Sequence, residues 1–454
     1  MLFAALAFVY LTGLAQVGIF GPDEPRYAAI GAGMAQSGDW ITTRLWGQPW
    51  FEKPALLYWM TGVGTLLELG PETAPRLPVA LTALALIVFL YWYLRSRVGG
   101  GIALHSAILM AGTVGWLGFG SVGVTDVPLT THFTICLLLV VFGGPAWLAG
   151  VFLGLAVLAK GLLPFVLFIP AIWWLYRSKR LGDLIPISVV CLLVAGPWYT
   201  AITLRFGRAF FDEFIMRHHF ARAVSDSLQH VRPVWFYIPA LAGAMLPWTG
   251  LLPFIGKRKV LADPRLRFLA IWALFGFVFL SLVRNKLPGY ILPLVPILCI
   301  LIAAAIEDLE WTGVILAITA GTLVTFGLQI LPVLPHLINE GWTRTPIGPL
   351  QITQVTAGLA VAVGVWWIAR SKRPTLALCV VAAVGFAGLF WIKYSPLAGE
   401  IDRVATSRPM SKTSPKDGCV HPNDRDLRYG LSYYWNFEVP ECNDETLPKR
   451  IRKP

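Results

Sequence analysis

Apolar runs long enough to cross a lipid bilayer recur along this chain of 454 residues until about position 393. A membrane-spanning helix needs about 20 consecutive, mostly apolar residues. Helices suit the hydrocarbon core because they satisfy their own backbone hydrogen bonds. Only 14% of the residues are charged, whereas about a quarter are charged in an ordinary soluble domain. The sequence therefore predicts an all-α polytopic membrane protein.

The apolar runs divide into about thirteen predicted transmembrane helices, with ends placed to within about four residues. These helices are 2–20, 75–94, 102–120, 127–142, 146–159, 161–176, 184–203, 234–255, 267–283, 290–306, 311–331, 350–369 and 375–393. The first run has neither a basic segment before it nor a small-residue cleavage site after it, so we expect a retained helix. Residues 1–394 are thus predicted to form one membrane domain, followed by a polar tail over residues 395–454.

Basic residues cluster in every second short connection, which sets an orientation under the positive-inside rule. The clusters are Arg95 with Arg97, Arg177 with Lys179 and Arg180, Lys257 with Arg258 and Lys259, and Arg370 with Lys372 and Arg373. These connections are expected to face the cytoplasm, so the loops 21–74 and 204–233 and the tail are expected outside. Orientation signals and lipid phosphates account for the formal charge of +12, so membrane lipids are expected partners and nucleic acid is not.

The first outer loop opens with GPDEPRYAAIGAGMAQSGDW, which predicts an amphipathic helix over residues 24–36 at the membrane surface. Asp23 is predicted to cap this helix, with Pro25 in its first turn. Asp23, Arg26 and Tyr27 then lie within one turn. A carboxylate, a guanidinium and a phenol therefore share one face. The alternative is that Asp23 is a helix cap and nothing more.

The second half of the loop carries Glu52 and Lys53 between aromatic residues, before a proline that can begin another surface helix. An ion pair at the membrane boundary usually has a function. The alternative is an ordinary interfacial belt of aromatic residues, to which Tyr58 would belong.

A second Asp-x-Pro motif occurs at Asp126 in VTDVPLT, again on the predicted outer side. Basic residues follow along the same side, including Lys160 and Lys286, the latter close to Tyr290. Cations at the edge of the hydrocarbon are costly unless they are paired, and a phosphate-bearing ligand would account for them. The alternatives are that Asp126 only caps its helix and that Lys160 only reaches out to lipid headgroups.

The candidate ligands for a divalent metal ion are Glu52, His218 and His230. These residues have no fixed ligand spacing. We therefore favour structural or phosphate-contacting histidines, and the sequence requires no cofactor.

The tail contains the two cysteines that lie in polar sequence, Cys419 and Cys442, and we predict a disulfide between them because the tail is expected in an oxidising compartment. The other four cysteines lie in apolar runs and are expected to be buried. The segment LRYGLSYYWNF is rich in β-forming aromatic residues and favours a strand, in a small strand-containing α/β tail.

The motifs DEPRYAAIGAGMAQSGDW, FEKPALLYW, VTDVP, LAKGLLPF and NKLPGYILPL closely resemble those of bacterial aminoarabinose (4-amino-4-deoxy-L-arabinose) lipid A transferases. That family is allied to the protein O-mannosyltransferases and has the GT-C membrane glycosyltransferase fold. The resemblance implies that Asp23 is the principal catalytic carboxylate and Asp126 the second acidic residue of the site. It also implies donor-phosphate contacts from Arg26, Tyr27 and Lys53, to which we add Tyr58, Lys160, Lys286 and Tyr290.

We therefore expect an inverting glycosyltransferase of the bacterial inner membrane that takes a sugar from polyprenyl (undecaprenyl) phosphate on the periplasmic face. The acceptor expected from the resemblance is lipid A. The tail is shorter than the soluble domain that these transferases often carry, which leaves open a protein O-mannosyltransferase-like enzyme or another envelope glycosyltransferase. A transporter or flippase would instead place ionisable residues near the bilayer midplane, where this sequence has almost none.

Overall fold

The computed structural model describes residues 2–221, 232–307, 312–340, 345, 347–370, 374–442 and 450–451. The first ten α-helices in this described part are α1 Leu2–Leu11, α2 Asp23–Ser37, α3 Leu56–Leu66, α4 Thr73–Leu94, α5 Gly100–Gly112, α6 Val114–Phe119, α7 Asp126–Val141, α8 Ala146–Lys160, α9 Leu163–Arg177 and α10 Leu184–Phe206.

The later α-helices are Arg208–Phe210, Tyr237–Ala244, Arg258–Ala262, Pro264–Leu282, Val295–Ile306, Thr312–Ile330, Leu334–Glu340, Ile352–Arg370, Pro374–Tyr394, Pro396–Ala405, Arg408–Thr413 and Arg425–Trp435. Shorter helical segments are the π-helix Phe211–Ala221 and the 3-10 helices Leu181–Asp183, Val234–Phe236, Trp248–Gly256, Pro288–Leu294 and Leu331–Val333. An antiparallel pair joins β1 Arg44–Leu45 to β2 Gln48–Pro49, and a parallel pair joins β3 Cys419–Val420 to β4 Arg450–Ile451.

Seven helical segments in the described part of the chain are long and apolar enough to cross a bilayer. They are Thr73–Leu94, Leu181–Phe206, Pro264–Leu282, Pro288–Ile306, Thr312–Leu337, Ile352–Arg370 and Pro374–Tyr394. The pair Val234–Ala244 and Trp248–Gly256 adds an eighth if it forms one span bent by 116°, and α5, α7, α8 and α9 are shorter apolar helices. The protein is therefore a helical, multi-pass membrane protein, and the count of about thirteen spans stays a prediction.

The first helix is shorter than the sequence predicts, because α1 ends at Leu11 rather than near residue 20. The chain then turns, and the carbonyl groups of Leu14, Val17 and Gly18 accept hydrogen bonds from the guanidinium of Arg76 instead of from helical amides. A side chain from α4 thus replaces the helical partners of this segment. Hydropathy alone does not reveal such a partner.

Helix α7 lies in the middle of the bundle, packed against α4, α8 and the segment Pro288–Leu294. All but two of its residues are buried. The following helix Val295–Ile306 is buried along its whole length. The buried position of α7 fixes its first residue, Asp126, at one end of the core.

The tail has a small core of its own, formed by Met410, Val420, Leu427, Leu431, Trp435, Val439 and Ile451. Arg425–Trp435, here called the tail helix, is an α-helix where the sequence favours a strand, so that prediction is wrong. Leu427, Leu431 and Trp435 recur every four residues and bury one helical face. The division into domains at residues 394 and 395 stays a prediction.

A disulfide joins Cys419 to Cys442, which confirms the predicted pairing. The tail helix lies inside the loop that this bond closes. Among the remaining cysteines, Cys136, Cys191 and Cys299 are buried and Cys379 is half-buried, as their apolar surroundings predict.

Candidate functional site

The carboxylate of Asp23 does not cap helix α2. Pro22 occupies the cap position without a side-chain hydrogen bond, and Asp23 is the first helical residue. Its carboxylate instead pairs with the Nη2 group of Arg26, one turn along the same helix. The predicted proximity of the two side chains is confirmed, and the capping role is wrong because the guanidinium takes the carboxylate.

Arg26 belongs to a chain of ion pairs that crosses the first loop. Its Nη1 group donates to Oε2 of Glu52 at 2.7 Å, and Oε1 of Glu52 accepts from Nζ of Lys53 at 2.8 Å. Asp23, Arg26, Glu52 and Lys53, here called the ion-pair chain, therefore alternate in charge. The side chain of Asp23 is 37% exposed, whereas those of Arg26, Glu52 and Lys53 are 6%, 6% and 10% exposed. Asp23 is thus the accessible end of a buried, charge-compensated network.

Aromatic rings surround the guanidinium of Arg26. Its central carbon lies 5.9 Å from the ring centroid of Tyr27, 5.6 Å from that of Trp50 and 5.2 Å from that of Tyr429. A guanidinium can stack its planar faces on rings while its edge donates hydrogen bonds. The aromatic residues of the loop therefore hold Arg26 in place, beyond any role at the membrane surface.

Tyr27 and Tyr58 lie side by side behind the ion-pair chain, with ring centroids 5.9 Å apart. Burial, followed by the charges of nearby carboxylates, raises the pKa of each phenol well above its usual range. The Tyr58 hydroxyl has no hydrogen-bond partner within the described residues. Both phenols therefore remain protonated at neutral pH and able to donate a hydrogen bond.

Glu24 and Arg76 form a buried ion pair that sequence reasoning missed. Their side chains are 1% and 3% exposed, and Nε of Arg76 donates to Oε1 of Glu24 at 2.7 Å. Glu24 also accepts from the backbone amides of Phe20 at 2.8 Å and Gly123 at 2.7 Å. The pair thereby ties the start of α2 to α4 and to the loop before Asp126. An arginine within the apolar sequence TAPRLPVA was the available signal.

Asp126 pairs with Lys160 at the start of helix α7. Nζ of Lys160 donates to Oδ1 of Asp126 at 2.5 Å and lies 4.2 Å from the ring centroid of Tyr290. Thr125 occupies the cap position without a side-chain hydrogen bond, so the predicted capping role of Asp126 is wrong. A Cβ atom added to Gly289 would lie 2.9 Å from Oδ1 of Asp126. Lys160 therefore pairs inside the protein instead of extending to lipid headgroups.

Lys286 is buried, and its Nζ group donates to the backbone carbonyl of Arg232 at 3.1 Å. Burial lowers the pKa of this amine from its usual range. The cations predicted to meet a phosphate thus have different partners: Arg26 and Lys53 share Glu52, Lys160 pairs with Asp126, and Lys286 contacts the backbone.

The candidate metal ligands that are described contact other side chains. Glu52 binds two cations, and Nε2 of His218 lies 3.1 Å from Oε1 of Glu213 on the π-helix. His230 lies outside the described residues. No group of three or more His, Cys, Asp or Glu side chains that could hold a metal ion occurs within the described ranges. The metal hypothesis stays a prediction.

Asp39 forms a second, more exposed contact of the first loop, to Arg205 at the end of α10. Both carboxylate oxygens accept from Nη1 of Arg205, at 2.9 and 2.8 Å. Burial opposes the ionised carboxylate, but hydrogen bonds from Thr42, Arg205 and Ile41 outweigh it and lower the pKa of Asp39 to about 2. This ion pair is separate from the ion-pair chain and offers a control for it.

Several curated relatives of the chain share the name undecaprenyl phosphate-α-4-amino-4-deoxy-L-arabinose arabinosyl transferase. The relative from Serratia proteamaculans is 30% identical over 75% of this chain and 67% of its own length. The chain belongs to this family. The relatives from Pseudomonas paraeruginosa and Yersinia enterocolitica are 32% and 31% identical over 73% and 66% of this chain. No protein-family model matches the chain.

The family assignment confirms the resemblance found in the sequence. The chain spans about three fifths of the length of these curated relatives: 63% for the Pseudomonas paraeruginosa protein and 58% for the Yersinia enterocolitica protein. The fold agrees with solved structures of ArnT from Cupriavidus metallidurans. The apo structure matches with a TM-score of 0.78 and 25% identity over 96% of this chain and 84% of that one. The structure bound to undecaprenyl phosphate matches with a TM-score of 0.77 and 24% identity over 98% and 85%.

Proposed function

We propose that the protein is an inverting glycosyltransferase that moves 4-amino-4-deoxy-L-arabinose from undecaprenyl phosphate to lipid A. The donor follows from the shared name of the curated relatives, and the acceptor from the resemblance in sequence. The observation that carries the proposal is the exposed Asp23 carboxylate at the end of the buried ion-pair chain. Such a carboxylate is held in one orientation and can still meet a substrate.

In the proposed reaction, the acceptor oxygen bonds to the anomeric carbon while the bond from that carbon to the donor phosphate oxygen breaks. The bonding electron pair leaves with undecaprenyl phosphate, and a single displacement inverts the anomeric carbon. A hydroxyl acceptor gives its proton to Asp23 as general base. A phosphate acceptor is already anionic, and Asp23 then orients it.

Cations near the departing phosphate stabilise the charge that develops on it. Lys53 suits this role because its side chain ends in an ammonium, a cation that donates hydrogen bonds, and Glu52 holds that ammonium in the ion-pair chain at 2.8 Å. Arg26 already donates to Pro22, Asp23 and Glu52. We therefore assign it to holding Asp23, in addition to the donor contact that the resemblance implies. The pair of Asp126 and Lys160 supplies the second acidic residue of the proposed site.

We place this site on the periplasmic face of the bacterial inner membrane. The basic clusters in alternate connections support that orientation. The disulfide of the tail gives independent support, because disulfides persist in oxidising compartments. Since Tyr429 of the tail helix stacks on Trp46 of the first loop, the tail and that loop lie on the same side. The site then shares the compartment of the disulfide.

The test is transfer by the purified protein in lipid nanodiscs, with synthetic undecaprenyl phosphate aminoarabinose as donor and lipid A as acceptor. Mass spectrometry should detect aminoarabinose on lipid A. Lys53→Ala should raise the donor KM or lower the transfer rate, because the donor phosphate loses a cation that binds it. Donor consumption with unmodified lipid A would overturn the acceptor, and failure to consume the donor at all would overturn the proposed function.

A further inference from the structure

We propose that Tyr429, on the tail helix, is a positioning residue of the transferase site that fixes Arg26 and thereby orients Asp23. This inference rests on the proposed transferase function and extends it to the tail. The tail then contributes a residue to the transferase site through its contact with the first loop.

The ring of Tyr429 contacts two groups of the first loop. It stacks on Trp46, with centroids 5.6 Å apart and planes inclined by 14°, and it lies 5.2 Å from the guanidinium carbon of Arg26. Among the three rings around Arg26, that of Tyr429 is the nearest. Tyr429 is 8% exposed and Arg26 is 5% exposed. Water is therefore largely excluded from their contact, which strengthens a cation–π interaction.

Polar contacts fix the tail helix in register with the loop. The Tyr433 hydroxyl donates to the carbonyl of Pro71 at 2.8 Å. The Tyr434 hydroxyl donates to Oε1 of Glu72 at 3.0 Å and accepts from the amide of Ile19 at 3.0 Å. These contacts lie beside the starts of α2 and α4. They leave Tyr429 little freedom to move relative to Arg26.

The hydrogen bonds of Arg26 explain why an aromatic ring beside its guanidinium affects the orientation of Asp23. Its donors hold Asp23 and Glu52, two acceptors that come from different parts of the loop. A guanidinium can also stack on an aromatic face, and this support restricts its motion further than its hydrogen bonds do alone. Without the Tyr429 ring, water reaches the guanidinium, and Asp23 samples more orientations. Because Asp23 acts in the bond-breaking step and Lys53 still holds the donor phosphate, the loss should appear in kcat more than in the donor KM.

The experiment compares three tail variants of the full chain in nanodiscs, with kcat and donor KM measured for each. Tyr429→Leu should lower kcat by about tenfold, the size expected for one desolvated cation–π contact, and should leave the donor KM within about twofold of wild type. Tyr429→Phe keeps the ring and should restore kcat. Phe437→Leu removes a tail ring that stacks on Trp435, and it should keep wild-type kcat even if the melting temperature falls.

A double variant tests whether the ring acts through Arg26. In an Arg26→Lys background, which lacks a planar guanidinium, Tyr429→Leu should cost much less than tenfold. The inference is overturned if Tyr429→Leu turns over like wild type, if Tyr429→Phe is as slow as Tyr429→Leu, or if Phe437→Leu slows turnover equally. Absence of turnover by the wild-type protein would instead overturn the proposed function.

Discussion

Replacement of Arg76 by methionine should destabilise the protein strongly, because it breaks the buried ion pair with Glu24. Removing one partner of a buried pair costs about 3–5 kcal/mol, since the other charge is left uncompensated. Arg76 also donates to three backbone carbonyls between α1 and α2, and those bonds are lost as well. Glu24 keeps two backbone donors, which limits the penalty. We expect a loss of about 4–5 kcal/mol in the free energy of unfolding.

The assay is equilibrium unfolding of the purified protein in mixed micelles, titrated with SDS and followed by tryptophan fluorescence. Arg205→Met is the matched control, because its pair with Asp39 is 44% and 25% exposed and should be worth less than about 1 kcal/mol. Glu24→Gln combined with Arg76→Met should be less destabilising than Arg76→Met alone, since no buried charge is then left unpaired. A loss for Arg76→Met as small as that of the control would refute the reasoning.

Three further predictions concern other parts of the molecule. Gly289→Ala should lower turnover by about tenfold, because the added Cβ would lie 2.9 Å from Oδ1 of Asp126; unchanged kcat would show that the carboxylate tolerates displacement. Cys419→Ser should destabilise the tail by about 3 kcal/mol, as expected for opening a loop of about 24 residues; limited proteolysis measures this, and equal protection of variant and wild type would contradict it. Stability should decline modestly as the pH falls from about 4 towards about 2, because the folded pKa of Asp39 is about 2 and its unfolded pKa is higher. In acid titrations Asp39→Asn should lack that part of the decline, and an identical profile would argue against it.

The local parts of the site could be predicted from the sequence. Asp23 and Arg26 lie one turn apart on a helix, and Glu52 and Lys53 are neighbours in the chain, so short-range geometry was enough to bring each pair together. The link between the two pairs, from Arg26 to Glu52, spans 26 residues. No periodic pattern encodes it.

Most of the site contacts that were not predicted from the sequence join residues that are far apart in the chain. Glu24 was assigned no role because Arg76, its partner, lies 52 residues away. Asp126 stands where the sequence predicts a helix cap, but its carboxylate binds Lys160, 34 residues away. Tyr429 lies beside Arg26 only because of the way the tail folds. Pairs of this kind depend on how helices pack, and one sequence does not specify that packing locally.

The strand favoured for the tail shows a different reason for error. Aromatic residues have high β-propensity, but that preference depends on context. In this segment Leu427, Leu431 and Trp435 recur with helical spacing and reach the small core of the tail. Burial of that face outweighs the local preference.

The most direct test of the central claim is single-turnover transfer by Asp23→Asn, compared with wild type and with Asp39→Asn, the same substitution at another position of the first loop. Asparagine keeps the shape of the side chain and an oxygen that can accept from Arg26, so the variant should fold and insert. Its transfer rate should fall by about 10²–10⁴-fold, the usual contribution of a positioned acid–base group, while Asp39→Asn keeps a near-wild-type rate. Transfer by Asp23→Asn within about threefold of the Asp39→Asn rate, far short of that loss, would contradict the account.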